Sequence, residues 1–466
     1  MNARAQAIDV LARVEATDAF LNVVLDQRLA EAPPADPRDS GLITELSYGA
    51  TRRRLGLDRV IGQFSDRKLT SLEDRVLAAL RVGAYQIFHS RIPRRAAVSE
   101  TVEGLKQLGL SRAAGFVNAV LRKVAGVEAL PLPEESDLAE FLSVRESHPR
   151  WLVERWLRRY GRATTEAMLA ANNEPPPVTV RANSRATTRP ALAELFAEAG
   201  VTAEPARFSP VGLKLPSPGP VDALVGWDQG LFQVQDEAAQ LVGLYADISE
   251  GARVLDACAA PGGKACHLAE RHRVLAVDLY VSKLGRIQAE ARRLGLTDRL
   301  EVLAHDATEP FPDLGSFDAV LLDAPCTGLG TLRRHPELRW RRSEDDVLRL
   351  SALQRRILER CQAVVPPGGL LTYAVCSTEP EEGQDQVELF LRSHPDFTAE
   401  PPPVAGERGW PAWQGHLRTL PGPEGMDGFF AARLRRLSRA PVVFGCRPAP
   451  AERKMPVPCR RLEECP

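Results

Sequence analysis

Apolar residues recur at intervals of three and four through the first 125 residues, as at Ile8, Leu11 and Val14 and again at Val76, Leu77, Leu80, Tyr85, Ile87 and Phe88. That spacing lines one face of a helix, and strand-like alternation is absent, so the region is predicted to be helical throughout. Prolines in ALPLPEESD (129–137) interrupt the rhythm and mark a linker. HPRWLVERWLRRYG (148–161) then has the pattern of an amphipathic helix, and NNEPPPVTVRANS (172–184) that of a turn feeding a strand. A stretch rich in Pro and Gly from 205 to 220 leads to GLFQVQDEAAQLVGLYA (230–246).

From about 251 the rhythm changes. RVLDACA (253–259), HRVLAVDLY (272–280), RLEVLAHDA (299–307), FDAVLLDAP (317–325) and GGLLTYAVCS (368–377) are short apolar runs, most of them separated by helical segments. This alternation predicts a parallel sheet with helices on both faces. GFFAARLRR (428–436) is expected as a last strand on the sheet edge. Beyond 437 the chain is polar and proline-containing, which predicts a disordered tail. The expected layout is an all-helical unit over 1–130, a small α/β module over 140–235, an α/β unit over 236–436 and the tail 437–466.

Composition adds limits. A chain of 466 residues suits roughly three domains of ~100–200 residues, and 44% hydrophobic with 26% charged residues is ordinary for packed cores. The formal net charge of −1 gives no global attraction to nucleic acid, so any such binding needs local basic patches. Residues 1–130 carry 19 Lys and Arg against 15 Asp and Glu, and Arg52, Arg53 and Arg54 form either a solvated helix face or an RNA-contacting edge. No export signal or membrane span is visible. The eight cysteines show no CxxC pair and no metal-ligand spacing, those at 446, 459 and 465 included. Reduced thiols, no metal and a cytoplasmic location are expected.

The first strand of the α/β unit runs into Asp256-Ala-Cys-Ala-Ala-Pro-Gly-Gly-Lys264. Small residues let a backbone approach a ligand at the carboxyl end of a parallel sheet. Neither GxGxxG nor GxxxxGK[ST] is present, which disfavours a dinucleotide or ATP. Asp278, Asp306 and Asp323 end or follow successive strand patterns. Such carboxylates suit a ligand with hydroxyls, an amine and a positive sulfonium, as in S-adenosylmethionine. Asp278 is expected at the ribose hydroxyls and Asp306 beside the adenine edge, although either alone could be a simple turn or cap carboxylate.

Two further strand patterns end in thiols, Cys326 in DAPC and Cys376 in TYAVCS. Carbon 5 of a pyrimidine cannot take a methyl group directly. A thiolate added at C6 makes C5 nucleophilic, and loss of the C5 proton later expels the thiol. Thr378 and Glu381 have the spacing of a capping box, which predicts a helix start that would favour the Cys376 thiolate. Cys258 and Cys361 are read as structural.

DACAAPGGK, VLAVDL, LLDAPCTGLGTLRRHPELRW and TYAVCSTEPEE resemble the Fmu/Sun (Nol1/Nop2/Sun) RNA cytosine-5 methyltransferases. The likeness is greatest to bacterial members that modify 16S ribosomal RNA. It implies a Rossmann-like class I S-adenosylmethionine-dependent domain, preceded by an all-α unit like the NusB antitermination factor and a small mixed α/β module. It further implies that Cys258, Ala259, Ala260, Pro261, Gly262, Gly263 and Lys264 cradle the cofactor, with Asp278, Asp306 and Asp323 completing the site. Asp323 and Lys264 would face the cytosine, Cys376 would attack and Cys326 would help release product. NNEPPPVTVRANS and VQDEAAQL are implied to be RNA-binding and cofactor-adjacent segments.

TLRRHPELRWRR (331–342) packs five arginines around His335 and Trp340. Arg333, Arg334, Arg339, Trp340 and Arg341 are therefore expected to hold RNA, by phosphate neutralisation and base stacking. The expected partner is 16S ribosomal RNA, bound by a monomer with no stable protein partner. Rivals are a tRNA methyltransferase, a DNA cytosine-5 enzyme in which Cys326 attacks, an amine methyltransferase, and an RNA-binding assembly factor with a vestigial cofactor fold.

Overall fold

In the computed structural model, which describes residues 1–438 apart from 217, 402–408 and 424, the period-three-and-four pattern resolves into seven helices. They are α1 (Ala3–Ala16), α2 (Leu21–Glu31), α3 (Pro37–Arg52), α4 (Arg54–Phe64), α5 (Asp74–His89), α6 (Arg94–Gln107) and α7 (Ala114–Val124). The apolar positions read from the sequence, among them Ile8, Leu11, Val76 and Leu80, converge in one buried cluster. The Asn2 side chain caps α1 by accepting from the Ala5 N–H at 2.8 Å.

Two helices follow, α8 (Leu138–Glu146) and α9 (Arg150–Ala171). The amphipathic stretch expected to end at Gly161 continues past it, because Gly161 takes φ +72° and the chain re-enters helix after the break. Four short strands, β1 (Val178–Ala182), β2 (Glu204–Pro205), β3 (Gly212–Leu215) and β4 (Phe232–Val234), pair antiparallel in the order β2-β3-β1-β4. Helix α10 (Arg189–Glu198) packs on them through Leu192 and Phe196.

The remaining chain builds a nine-stranded sheet. Its parallel part, in spatial order β7-β6-β5-β8-β9, comprises β5 (Arg253–Asp256), β6 (Arg273–Asp278), β7 (Leu300–Ala304), β8 (Ala319–Asp323) and β9 (Leu370–Val375). On one face lie α11 (Glu237–Tyr245), α12 (Gly263–Ala269) and α13 (Val281–Arg293); on the other lie α15 (Glu344–Ala363) and α16 (Gln384–Ser393), with α14 (Leu338–Arg341) in the β8–β9 connection. β9 is apolar and buried along its whole length, as expected of a strand covered on both faces.

β13 (Phe430–Arg436) corrects one expectation: it is not an edge. It pairs antiparallel with β9, and its outer side is covered by β10 (Phe397–Ala399) and β12 (His416–Arg418), the latter paired to β11 (Ala412–Trp413). These covering strands have two or three residues each, too few for any periodic signal. No described helix is long and apolar enough to cross a membrane. The expected tail and its cysteines at 446, 459 and 465 lie outside the described residues, apart from 437 and 438.

Candidate active site

The carboxyl ends of β5, β6 and β8 meet in one place. After Asp256 the chain turns back into α12, and Gly262 in that turn has φ +107°, with no room for a Cβ, which would sit 3.1 Å from Ile287. Lys264, in the first turn of α12, reaches the end of β8 and donates to Asp323 Oδ2 at 2.6 Å. Burial opposes its charge, but Asp323 outweighs burial and holds the ammonium protonated above the ordinary lysine range. Asp278 accepts the N–H groups of Ala260 at 3.2 Å and Tyr280 at 3.0 Å, tying the turn to the end of β6. Just beyond β7, Asp306 accepts from the Thr308 N–H and hydroxyl, and these bonds lower its pKa.

Asp256 was not among the expected site residues, yet it is the most unusual group here. It is wholly buried, and neither carboxylate oxygen has a well-formed hydrogen bond, the Cys258 N–H giving only a weak one. Burial, reinforced by the Asp323 charge, pushes its pKa up to about 7. The Gln235 amide, in the segment preceding α11, is likewise buried with no partner, and it faces the position a Cβ on Gly263 would take. Buried polar groups without partners are rare in a finished core. Together with the acidic strand ends, they fit a ligand carrying hydroxyls and positive charge.

Cys376 follows β9 and Cys326 follows β8; both are half-buried, and their sulfurs lie 3.2 Å apart as unbridged thiols. The two loops are stitched together. The Gly330 N–H donates to the Cys376 carbonyl at 3.1 Å, and Gly330 packs so closely on Gly428 that a Cβ would lie 1.9 Å from its carbonyl oxygen. The buried Glu382 carboxylate accepts from the Thr327 N–H at 2.8 Å, from Gln354 at 3.0 Å, and from the Thr327 and Ser377 hydroxyls. Burial raises its pKa against those bonds. Glu382 thus clamps the residue after each cysteine. It lies inside the TYAVCSTEPEE motif, but nothing in the spacing marks its role.

The contact with Cys376, then burial, raises the Cys326 thiol well above its ordinary range, so Cys326 stays protonated and can donate to the Cys376 sulfur. Burial likewise raises Cys258 and Cys361, in keeping with structural roles. The expected helix start beside Cys376 is not there. α16 begins at Gln384 with no side-chain cap, and Glu381 instead binds Arg155 of α9 at 2.6 Å. The positive neighbour of Cys376 is the Lys264 ammonium.

The arginine segment is the larger correction. Arg339 is fully buried and donates to the carbonyls of Arg52, Ser147, Asn172 and Leu332 and to Asn173 Oδ1, so it cannot meet a phosphate. Arg341 donates to the carbonyls of Val14, Thr17, Asp18 and Ala19 at the end of α1. Trp340 donates to the Thr51 carbonyl, and Arg334 pairs with Asp236 and Asp427. Arg333 is half-exposed and donates to the carbonyls of Glu174 and Pro175, and Arg342, likewise half-exposed, donates to the Thr327 carbonyl. Asn172 and Asn173 are buried ties as well, both accepting from Arg339.

Three family models match the chain: 16S rRNA methyltransferase RsmB/F over residues 244–435, the NusB family over 1–126, and an RsmF/B-like ferredoxin-like domain over 148–222. The chain is 38% identical to the ribosomal RNA small subunit methyltransferase B of Pseudomonas syringae pv. tomato, over 94% of this chain and 98% of that protein. It is also 38% identical to the protein of that name from Pseudomonas putida, over 94% and 99%. Among solved structures, PH0851 is 26% identical with a TM-score of 0.81, covering 94% of this chain and 99% of that one. A methyltransferase homolog from Pyrococcus horikoshii is 25% identical with a TM-score of 0.54, covering 64% and 98%. The two Pseudomonas relatives thus match this chain almost end to end, and the chain belongs to the 16S rRNA methyltransferase RsmB/F family.

Proposed function

We propose that this protein methylates C5 of a cytosine in 16S ribosomal RNA, using S-adenosylmethionine and a transient bond from Cys376 to C6 of the base. The observation that carries the proposal is the 3.2 Å contact between the two thiols, set beside the Lys264–Asp323 pair at the ends of β8 and β9. Family membership supports the rRNA substrate and the cofactor class.

The loop Cys258–Lys264 with Asp278, Asp306 and Asp323 would hold the cofactor; the buried Asp256 and Gln235 side chains would meet its polar groups. When bound, the cofactor supplies an electrophilic methyl group. Cys376, as thiolate, adds to C6 of the cytosine, aided by the nearby Lys264 ammonium. Asp323 relays a proton from the Lys264 ammonium to N3 as the C5–C6 bond becomes enamine-like, so that C5 takes the methyl group, and N3 returns that proton by the same route on elimination. Removal of the C5 proton then breaks the bond to Cys376: the departing sulfur takes the proton of the adjoining Cys326 thiol, and the Cys326 thiolate so formed takes up the proton from C5. The Cys376 contact and burial keep Cys326 a thiol, which suits a role in release.

Cys376→Ala should lower methyl transfer by about 10⁴-fold or more, as expected when a covalent nucleophile is removed, while cofactor affinity stays within twofold or so. Nucleoside mass spectrometry of 16S fragments and calorimetric titration of the cofactor read the two halves. Methylation at wild-type speed, or a methyl group found on a nitrogen, would refute the proposal.

A further inference from the structure

Outside the reaction centre, a cavity of about 840 Å³ opens between the leading helices and the β8–β9 connection. α2, α3 and α5 form one wall, with Asn22, Tyr48, Arg52, Tyr85 and His89; residues 173–176 and Arg334–His335 form the other. Its size lies within the range of pockets that hold drug-sized ligands, and a nucleotide fits that range.

The chemistry of the lining is selective. Tyr85 and His89 stack with centroids 5.5 Å apart, and the Tyr85 ring lies on the backbone of Gly49, where a Cβ would be 2.1 Å away. Burial, then Arg53, lowers the His89 pKa to about 4, so this ring is neutral at pH 7. Asn22 Oδ1, Arg52 Nε and His89 Nε2 are buried without hydrogen-bond partners. Arg334 is compensated by Asp236 and Asp427 and Arg53 by Glu146 at 3.5 Å, while Arg52 donates to the Arg333 carbonyl at 2.9 Å. Glu45 and Glu174 add negative charge to the wall. Flat rings, unpaired donors and acceptors, and little free charge match a base better than a phosphate. The site is also coupled to the chemistry, because the Thr327–His335 stretch runs from the Cys326 loop to this cavity, and Pro175 and Pro176 line it.

We propose that this cavity receives an unpaired base of the rRNA, distinct from the reacting cytosine, and so sets the register of the substrate across the two units. The proposal rests on the reading of the chain as an rRNA methyltransferase. Gly41, on α3 at the cavity, has open space where a Cβ would lie, so it is the position from which Gly41→Trp can extend a ring into the recess.

The test uses the full chain and a 16S fragment that it methylates. Gly41→Trp should raise the RNA KM about tenfold, the loss of roughly one stacked base, with kcat, cofactor affinity and melting temperature unchanged. His89→Ala should raise KM several-fold in the same way, and ultraviolet crosslinking of wild type should join Tyr48 or Tyr85 to a nucleotide other than the methylated one. Unchanged KM in both variants, with wild type methylating normally, overturns the pocket and leaves the function standing. If Gly41→Trp proves unstable, His89→Ala and the crosslink decide. A wild-type chain that transfers no methyl to any RNA overturns the function itself.

Discussion

The strand-end loop at Asp256–Lys264 and the arginine segment at 331–342 treat polar groups in opposite ways. In the loop, Asp256 is buried with neither oxygen in a well-formed hydrogen bond, and in the segment before α11 the Gln235 amide is buried without a partner. In the arginine segment, Arg339 donates to five oxygens from four parts of the chain, and Arg341 to four carbonyls. A buried side chain left without a well-formed hydrogen bond marks a place built to receive something; one that spends most of its donors on buried carbonyls, as Arg339 does with only Nε unpaired, marks a joint. Charge density along the sequence does not distinguish the two.

The comparison can be broken by substitution, and the largest effect belongs to the joint. Arg339→Ala removes the donor from several buried carbonyls and should cost about 3–5 kcal/mol in denaturant unfolding, most of it as loosened contact between the leading helices and the rest. A cost below about 0.5 kcal/mol, together with lost RNA affinity, would restore the RNA-facing reading.

Asp256→Asn should act in the opposite direction. The folded-state pKa is raised to about 7 from 3.8, so the unfolded chain releases this proton first as pH rises. Stability therefore falls across roughly pH 4 to 7 and stays reduced above it. The variant should remove that slope and gain a few kcal/mol at pH 8 in the ligand-free protein, measured by melting temperature against pH, while weakening cofactor binding. A variant with wild-type slope would mean that Asp256 carries no such strain.

Asp323→Asn should lower kcat by about 10²-fold through the loss of proton transfer, with little change in RNA KM. An unchanged kcat would remove Asp323 from the chemistry. The smallest effect is expected at Arg333, a half-exposed member of the segment tied only to the carbonyls of Glu174 and Pro175. Arg333→Ala should weaken RNA binding a few-fold and reduce the slope of log affinity against log salt by about one. An unchanged slope would leave the whole segment structural.

Much of the site could be read from the sequence because strand ends in a parallel sheet are local events. A short apolar run followed by small residues or Pro-Cys fixes where Lys264, Asp278, Asp323, Cys326 and Cys376 emerge, whatever else the chain does. The helical leading unit was equally legible from its period. What escaped depends on distant partners. Glu382 looks like one of four glutamates and aspartates in a polar turn, until Thr327 and Ser377 are seen to converge on it. Arg339 looks solvent-facing until helices α3, α8 and α9 close around it. Thr378 and Glu381 have the spacing of a cap, yet the observed capping box is at Ser343 and Asp346. β10, β11 and β12 are too short to have a pattern, which is why β13 looked like an edge.

The central claim is that the bond to cytosine forms at Cys376 and is resolved with the help of Cys326. Cys326→Ala protein, mixed with substrate RNA and S-adenosylmethionine and run on a denaturing gel, tests it most directly. The account predicts a slow-migrating protein–RNA band that persists after denaturation and disappears when Cys376→Ala is added to the same chain. A band that survives the loss of Cys376, or a Cys326→Ala enzyme that turns over and releases RNA at wild-type rate, would contradict it.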